Sequence, residues 1–139
     1  YKAEAGAGLG GMRMSSHVGL RIPMYCTGVG KAILATQSYG EAERVWRKSS
    51  IRALTAHTIT DFDAFIEQLK RVRMAGYAID DEENELGIRC VAVPGMNGRA
   101  EAAFSISGLA AQMTDDRIEH LARMGLAARQ DILRDLGWK

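Results

Sequence analysis

Three side chains with small hydrogen-bonding heads, Cys90, Ser105 and Ser107, sit at alternate positions of two apolar runs, IRCVAV and AAFSISGL. Hydroxyls in such places can donate to a carboxylate oxygen or accept from a ligand hydroxyl. Cys90 reads either as a small wall with a weak donor or as an inert packed thiol. A second chemical candidate is Gly28-Val29-Gly30-Lys31. It fails as a nucleotide phosphate loop, because Tyr25 stands where the first glycine is needed and Ala32 where a Ser or Thr must follow the lysine. A helix starting there would still present unpaired amides, a milder anion site. Water and Thr27 could satisfy those amides equally well. His17, His57 and His120 lack metal-ligand spacing, and Cys26 and Cys90 form no CxxC pattern, so no metal site is expected. Position alone argues no Ser-His-Asp or Cys-His arrangement, since such groups are defined by geometry.

The elements that hold these residues follow from periodicity. Tyr77–Asp81, Ile88–Val93 and Ala102–Leu109 read as three strands, with Pro94-Gly95 and Asn97-Gly98 punctuating the last connection. Alternation puts Val91 and Val93 on one face of their strand, and Phe104 and Ile106 on one face of the next. Cys90, Ala92, Ser105 and Ser107 take the opposite, small face. That face is either closely covered or solvent-exposed, or it floors a cavity for a small polar ligand.

Upstream, residues 12–18 alternate enough for a strand, and residues 1–5 read as the end of another. Thr27 is an N-cap for a helix from Gly28 to Gln37, with Val29, Ala32, Ile33 and Thr36 as its stripe. A second helix is expected over Glu41–Lys48, with Ala42, Val45 and Trp46 inward. Thr60 reads as the N-cap of a third, carrying Phe62, Phe65, Ile66, Leu69 and Val72 and stopped by Gly76. Thr114 opens a long final helix with Ile118, Leu121, Ala122, Gly125, Ala128, Ile132 and Leu136 as its buried stripe. Strands, helices, a strand meander and a closing helix make an α+β order, not a strict βαβ alternation.

A chain of 139 residues is one domain by the length prior. Its formal net charge of +1 provides no general basic field for nucleic acid. No apolar run approaches the ~18–20 residues that span a bilayer, and no signal peptide is visible. A reduced, cytoplasmic chain is the plain reading, with a Cys26–Cys90 disulfide left open.

The run GYAIDDEENELGIRCVAVP, then FSISG, then MTDDRI, together with GLRIPMYCTGVGKAILA upstream, resembles the C-terminal effector-binding domain of IclR-family bacterial transcriptional regulators. The segments, in order, cover nearly the whole chain. The resemblance implies a mainly antiparallel sheet of about six strands covered by helices, related to GAF/PAS sensor folds. It implies one effector-binding domain over residues 1–139, homodimers or tetramers, no cofactor, and DNA contact only through an N-terminal winged helix-turn-helix. That element is not among these residues, which start at Tyr1 without Met, as expected of an excised C-terminal domain or of numbering that begins inside a longer protein.

Carried over position by position, the family's effector pocket falls on Gly28, Val29, Asp80, Cys90, Ser105 and Ser107, with Met14, Ile22 and the stem of Arg89 as walls. Val29 stands where relatives often have Ala or Leu, which changes the room for a ligand. An ionised Asp80 beside an anionic ligand costs energy unless the two are apart, so Asp80 belongs at the hydroxyl or keto end, or shapes the pocket through a backbone amide. Asp81, Glu82, Glu83 and Glu85 read mostly as solvated surface. The expected function is a non-enzymatic sensor of a small carboxylate that controls an attached DNA-binding domain. The alternatives are an enzyme using Cys90 as nucleophile and a ligand-free oligomerisation module.

Overall fold

The computed structural model describes residues 17–138. Its first helix, α1 (Gly28–Ala35), is buried on almost every side, as expected of a helix that is apolar nearly all round. The expected stripe is therefore too narrow: Gly28, Gly30, Lys31, Leu34 and Ala35 are buried with Ala32, while Val29, Ile33 and Thr36 are only half-buried. Thr27 caps it, its hydroxyl accepting from the Gly30 amide at 3.2 Å and donating to Pro23 O at 2.6 Å.

Helix α2 (Tyr39–Lys48) starts two residues before the expected Glu41, because Ser38 is its N-cap and accepts from the Glu41 amide at 3.2 Å. Helix α3 (Phe62–Ala75) is capped by Asp61, not Thr60, through a 2.9 Å bond from the Ala64 amide. A carboxylate there meets the helix dipole as well as an unpaired amide. Gly76 ends α3 with φ of 86°, a conformation open to glycine at little cost.

Strands β1 (Ala78–Asp81), β2 (Ile88–Pro94) and β3 (Ala103–Leu109) form an antiparallel sheet in the order β1-β2-β3. Three strands are present among the described residues. The expected strand over 1–5 lies outside them, as does that over 12–18 up to Ser16. His17–Leu20 makes a turn, the Leu20 amide donating to His17 O at 3.1 Å.

The register aligns Asp80 with Cys90 and Cys90 with Ser107 in one row across all three strands. Ala78, Ala92 and Ser105 form the next row on the same face, because side chains two residues apart point the same way. Ile79, Val91 and Ile106 form a row on the other face.

Each face has its own cover. Helix α4 (Asp115–Asp135), capped by Thr114, lies on the bulky face, where Val91, Met113, Ile118 and Ala122 make one core cluster. The approach is close: a Cβ on Gly125 would stand 2.9 Å from Val93 Cγ2. The buried stripe of α4 runs Ile118, Ala122, Gly125, Leu133. The expected Ala128, Ile132 and Leu136 are exposed instead, since the 3.6-residue period carries the facing stripe through Arg129 to Leu133.

The small face is covered by α1, with α2 and α3 outside it; Tyr25, Leu34, Phe65, Leu69, Ala78 and Ala92 belong to that core. Trp46 packs against Tyr25, Phe62 and Phe65 with ring centroids 4.8–5.9 Å apart.

Candidate functional site

Where α1 stops covering the small face, a cavity of about 450 Å³ opens, within the ordinary range for small-molecule sites. Its floor is the row Asp80, Cys90, Ser107 with Ser105 beside it, and one wall is the start of α1, Thr27, Gly28 and Val29. Leu20, Ile22 and Ile88 supply apolar wall, and Asn84 and Glu85 close it from the β1–β2 loop.

Six expected pocket residues, Gly28, Val29, Asp80, Cys90, Ser105 and Ser107, are thus brought together with the wall residue Ile22. Met14 lies outside the described residues. Arg89 does not line the cavity. It follows Ile88 and precedes Cys90 in an extended strand, so it points to the opposite face. There its guanidinium lies 2.9 Å from both Asp81 and Asp115 and donates to Met113 O, tying β2 to the start of α4.

Glycine at position 28 is required by packing against the sheet. A Cβ there would face the sheet, 3.1 Å from Ala92 Cβ and 3.7 Å from Cys90 Cβ. Gly28 therefore lets α1 sit close on the small residues of β2. Gly30 is stricter still, since a Cβ would meet the Met24 backbone at 2.4 Å. The first amides of a helix have no partner within it. Thr27 takes the one on Gly30, and Gly28 and Val29, at the same end of the helix, line the cavity wall.

Asp80 is buried and its Oδ1 accepts from the Glu83 and Asn84 amides at 2.9 and 3.4 Å. It shapes the turn that puts Asn84 and Glu85 at the cavity mouth. Burial pushes its carboxyl up to about 6, against the lowering effect of those amide bonds. The nearby charge of Glu83 raises it further and that of Lys31 lowers it.

Two residues beneath the site escape a sequence reading. Lys31 is fully buried, its Nζ donating to Glu83 Oε2 and to Ile79 O, both at 2.5 Å. Glu83 is only 3% exposed, so the solvated reading of the acidic run fails at this position. Its other oxygen, Oε1, has no hydrogen-bond partner. The available signal was Lys31 itself, a cation in the middle of an otherwise apolar helix, which demands a buried partner. The loop around Glu83 is held from outside by Thr55 and Thr58, whose hydroxyls donate to Glu82 O and Glu83 O at 2.6 Å.

Cys90 Sγ lies 2.9 Å from Ser107 Oγ. Burial holds its thiol up at about 11, outweighing that hydrogen bond. A thiol so placed stays protonated near neutrality, the opposite of an activated nucleophile. Cys26 and Cys90 are both free, which closes the disulfide alternative. Among the described residues no cluster of His, Cys, Asp and Glu could hold a metal ion, and no helix is long and apolar enough to cross a membrane.

An antiparallel α+β domain with a cavity between its sheet and the start of one helix is the class of protein these features define. The family described as bacterial transcriptional regulator IclR C-terminal matches residues 9–134, and the chain belongs to it. The transcriptional repressor IclR of Escherichia coli is 36% identical over 123 residues, covering 87% of this chain and 45% of that protein. The crystal structure of the Thermotoga maritima IclR superposes with a TM-score of 0.84 at 36% identity, over 90% of this chain and 51% of the other. The inducer-binding domain of the Acinetobacter transcription factor PobR, a double mutant in complex with 3-hydroxybenzoic acid, gives 0.78 at 30% identity, over 90% and 74%. The chain spans about half the length of the curated relatives it matches.

Proposed function

We propose that this chain is the ligand-sensing domain of a bacterial transcriptional regulator, and that a small organic acid is its effector. The carrying observation is the cavity floored by Asp80, Cys90 and Ser107 and walled by the first residues of α1. The effector carboxylate sits at Gly28 and Val29, where free amides and the helix dipole favour an anion. Ser105 and Ser107 hydrogen-bond its oxygens. Asp80 and Asn84 face its other end, which therefore carries a hydroxyl or keto group. The complex of the PobR domain with a hydroxylated aromatic acid supports this polarity of ligand.

Binding acts through differential affinity for two arrangements of the domain, which biases a winged helix-turn-helix attached on its N-terminal side. The regulator works in the cytoplasm as a homodimer or tetramer. DNA contact belongs to the attached domain, so the 139-residue chain shows no salt-resistant specific binding in a gel shift.

A thermal-shift panel of short keto acids, hydroxy acids, sugar acids and benzoates tests the site. A true effector at one hundred times its dissociation constant adds about 2.7 kcal/mol, and Ser107→Ala loses much of that response while keeping the fold. A panel hit that stabilises Ser107→Ala as strongly as the native chain overturns the assignment of the site.

A further inference from the structure

A second cleft, of about 340 Å³, lies at the opposite end of α1 from the first cavity. We infer that it binds a small oxyanion, a phosphate or carboxylate head group, between the guanidinium groups of Arg73, Arg99 and Arg129. These three arginines come from three places: the last turn of α3, the β2–β3 loop and α4. Val72, Pro94 and Met96 provide the apolar part of the lining, and among the described residues no Asp or Glu lines it.

Among the described residues no carboxylate pairs with the charges of this cleft. Elsewhere Arg44, Arg47, Arg89, Arg123 and Arg134 each have a carboxylate within 3.0 Å. Arg73, Arg99 and Arg129 have no ion pair among the described residues. The charge of Arg99 is felt at Glu41, but Glu41 is already bonded to Arg44.

Capping of helix ends explains one of the three. Arg73 Nε donates to Ala35 O at 2.9 Å and its Nη2 to Gln37 O at 3.1 Å. Those bonds satisfy the carbonyls at the end of α1 and hold the guanidinium still at the cleft. They provide only partial negative charge. They do not reach Arg129, whose Nε is buried from water without any hydrogen-bond partner. A buried donor left unpaired is uncommon enough to ask for a partner from outside the chain. A planar fork of N–H groups is the donor set that matches oxyanions in pairs of bonds. A fixed guanidinium, a buried one with a spare donor, and a third on an exposed loop at the rim make a site for an anion with several oxygens.

The test uses inorganic phosphate as probe, with sodium chloride at matched ionic strength as reference, so that screening is the same in both. Thermal stabilisation should saturate with phosphate beyond the chloride reference. Arg129→Gln should weaken the apparent affinity about tenfold or more, and Arg99→Gln by a few-fold, in line with loss of charge-assisted bonds. Ser107→Ala, at the other end of α1, should leave it unchanged. Acetate in a parallel titration identifies the head group: a response to acetate that the arginine variants lose keeps the site and makes the group a carboxylate. Should Arg129→Gln fail to fold, the exposed Arg99→Gln decides. The inference is overturned if neither anion exceeds chloride, or if the folded arginine variants respond like the native chain.

Discussion

The two faces of the sheet are built on different physics although their residues alternate along the same strands. The bulky face is an apolar contact with α4. Val91, Ile118, Ala122 and Met113 close against one another, and Arg89 fastens the edge of that contact to Asp115 and Met113 O. The small face is held by close backbone approach at Gly28 and Gly30 and by one buried ion pair, Lys31–Glu83. It keeps a cavity open beside that pair. Packing on one face is interchangeable in kind; on the other, Lys31, Asp80 and Cys90 are each held by particular polar partners. Both faces contribute stability, and the small face alone also carries the cavity proposed to take a ligand.

The largest break in this contrast is expected at Lys31→Met. Removing one partner of a buried pair leaves the other charge unpaired, which typically costs about 3–5 kcal/mol. Here Glu83 would remain beside the buried Asp80 with no cation to offset either. Urea unfolding should show the loss, and Lys31→Met with Glu83→Leu should recover most of it. A single variant that loses less than about 1 kcal/mol would mean the pair does not hold the small face. Next is Ile118→Ala on the bulky face, 2% exposed in the native chain. Truncating such a residue costs about 2–5 kcal/mol. Its ligand dissociation constant should stay within about twofold of the native value, measured calorimetrically well below the melting temperature. A large affinity change from this site would erase the division between the faces.

Ser107→Ala should do the reverse. Loss of a hydrogen bond to a charged ligand group weakens binding by about 1–3 kcal/mol. Stability without ligand should move by no more than about 1 kcal/mol, since only the contact with Cys90 is lost. If both Ser107→Ala and a bulky replacement at the same position change stability alone, the cavity is structural and the domain serves assembly.

Much of this division could be read from sequence, and the parts that could not share a cause. Period-two alternation separated Cys90, Ala92, Ser105 and Ser107 from Val91, Val93, Phe104 and Ile106 without any structure. The same rule, applied to Arg89, would have kept it out of the pocket, since it neighbours Cys90 in a strand; the resemblance placed it there as a wall, and the strand geometry does not. Alternation could not supply the register, because which residues stand opposite depends on the lengths and turns of two loops. Nor could it pair Lys31 with Glu83, which are 52 positions apart. A charged run between two strands ordinarily lies in solvent. Here Thr55 and Thr58, in a stretch with no regular periodicity, pull it inward. The cap of α3 moved by one residue because two capping side chains, Thr60 and Asp61, stand in succession, and α2 began two residues early because Ser38 caps it.

The smallest effect concerns pH, and it separates the faces most finely because Asp80 is the titrating group on the cavity floor. Its carboxyl is raised from 3.8 to about 6, first by burial. Between those values the folded chain holds a proton that the unfolded chain has released. Stability from this group is therefore full below the lower value, declines as pH rises through the window, and is level above it. Asp80→Asn keeps a side-chain oxygen for the Glu83 and Asn84 amides and removes the titration, so this decline should disappear. Ligand affinity carries the same sign. An organic acid stays ionised near pH 6, and an ionised Asp80 across the cavity disfavours it. Affinity in the native chain should then rise several-fold, about fivefold, from pH 7.5 to 5.5, and remain nearly flat in Asp80→Asn. If the variant keeps the native pH dependence, Asp80 is not the group that senses charge in the cavity.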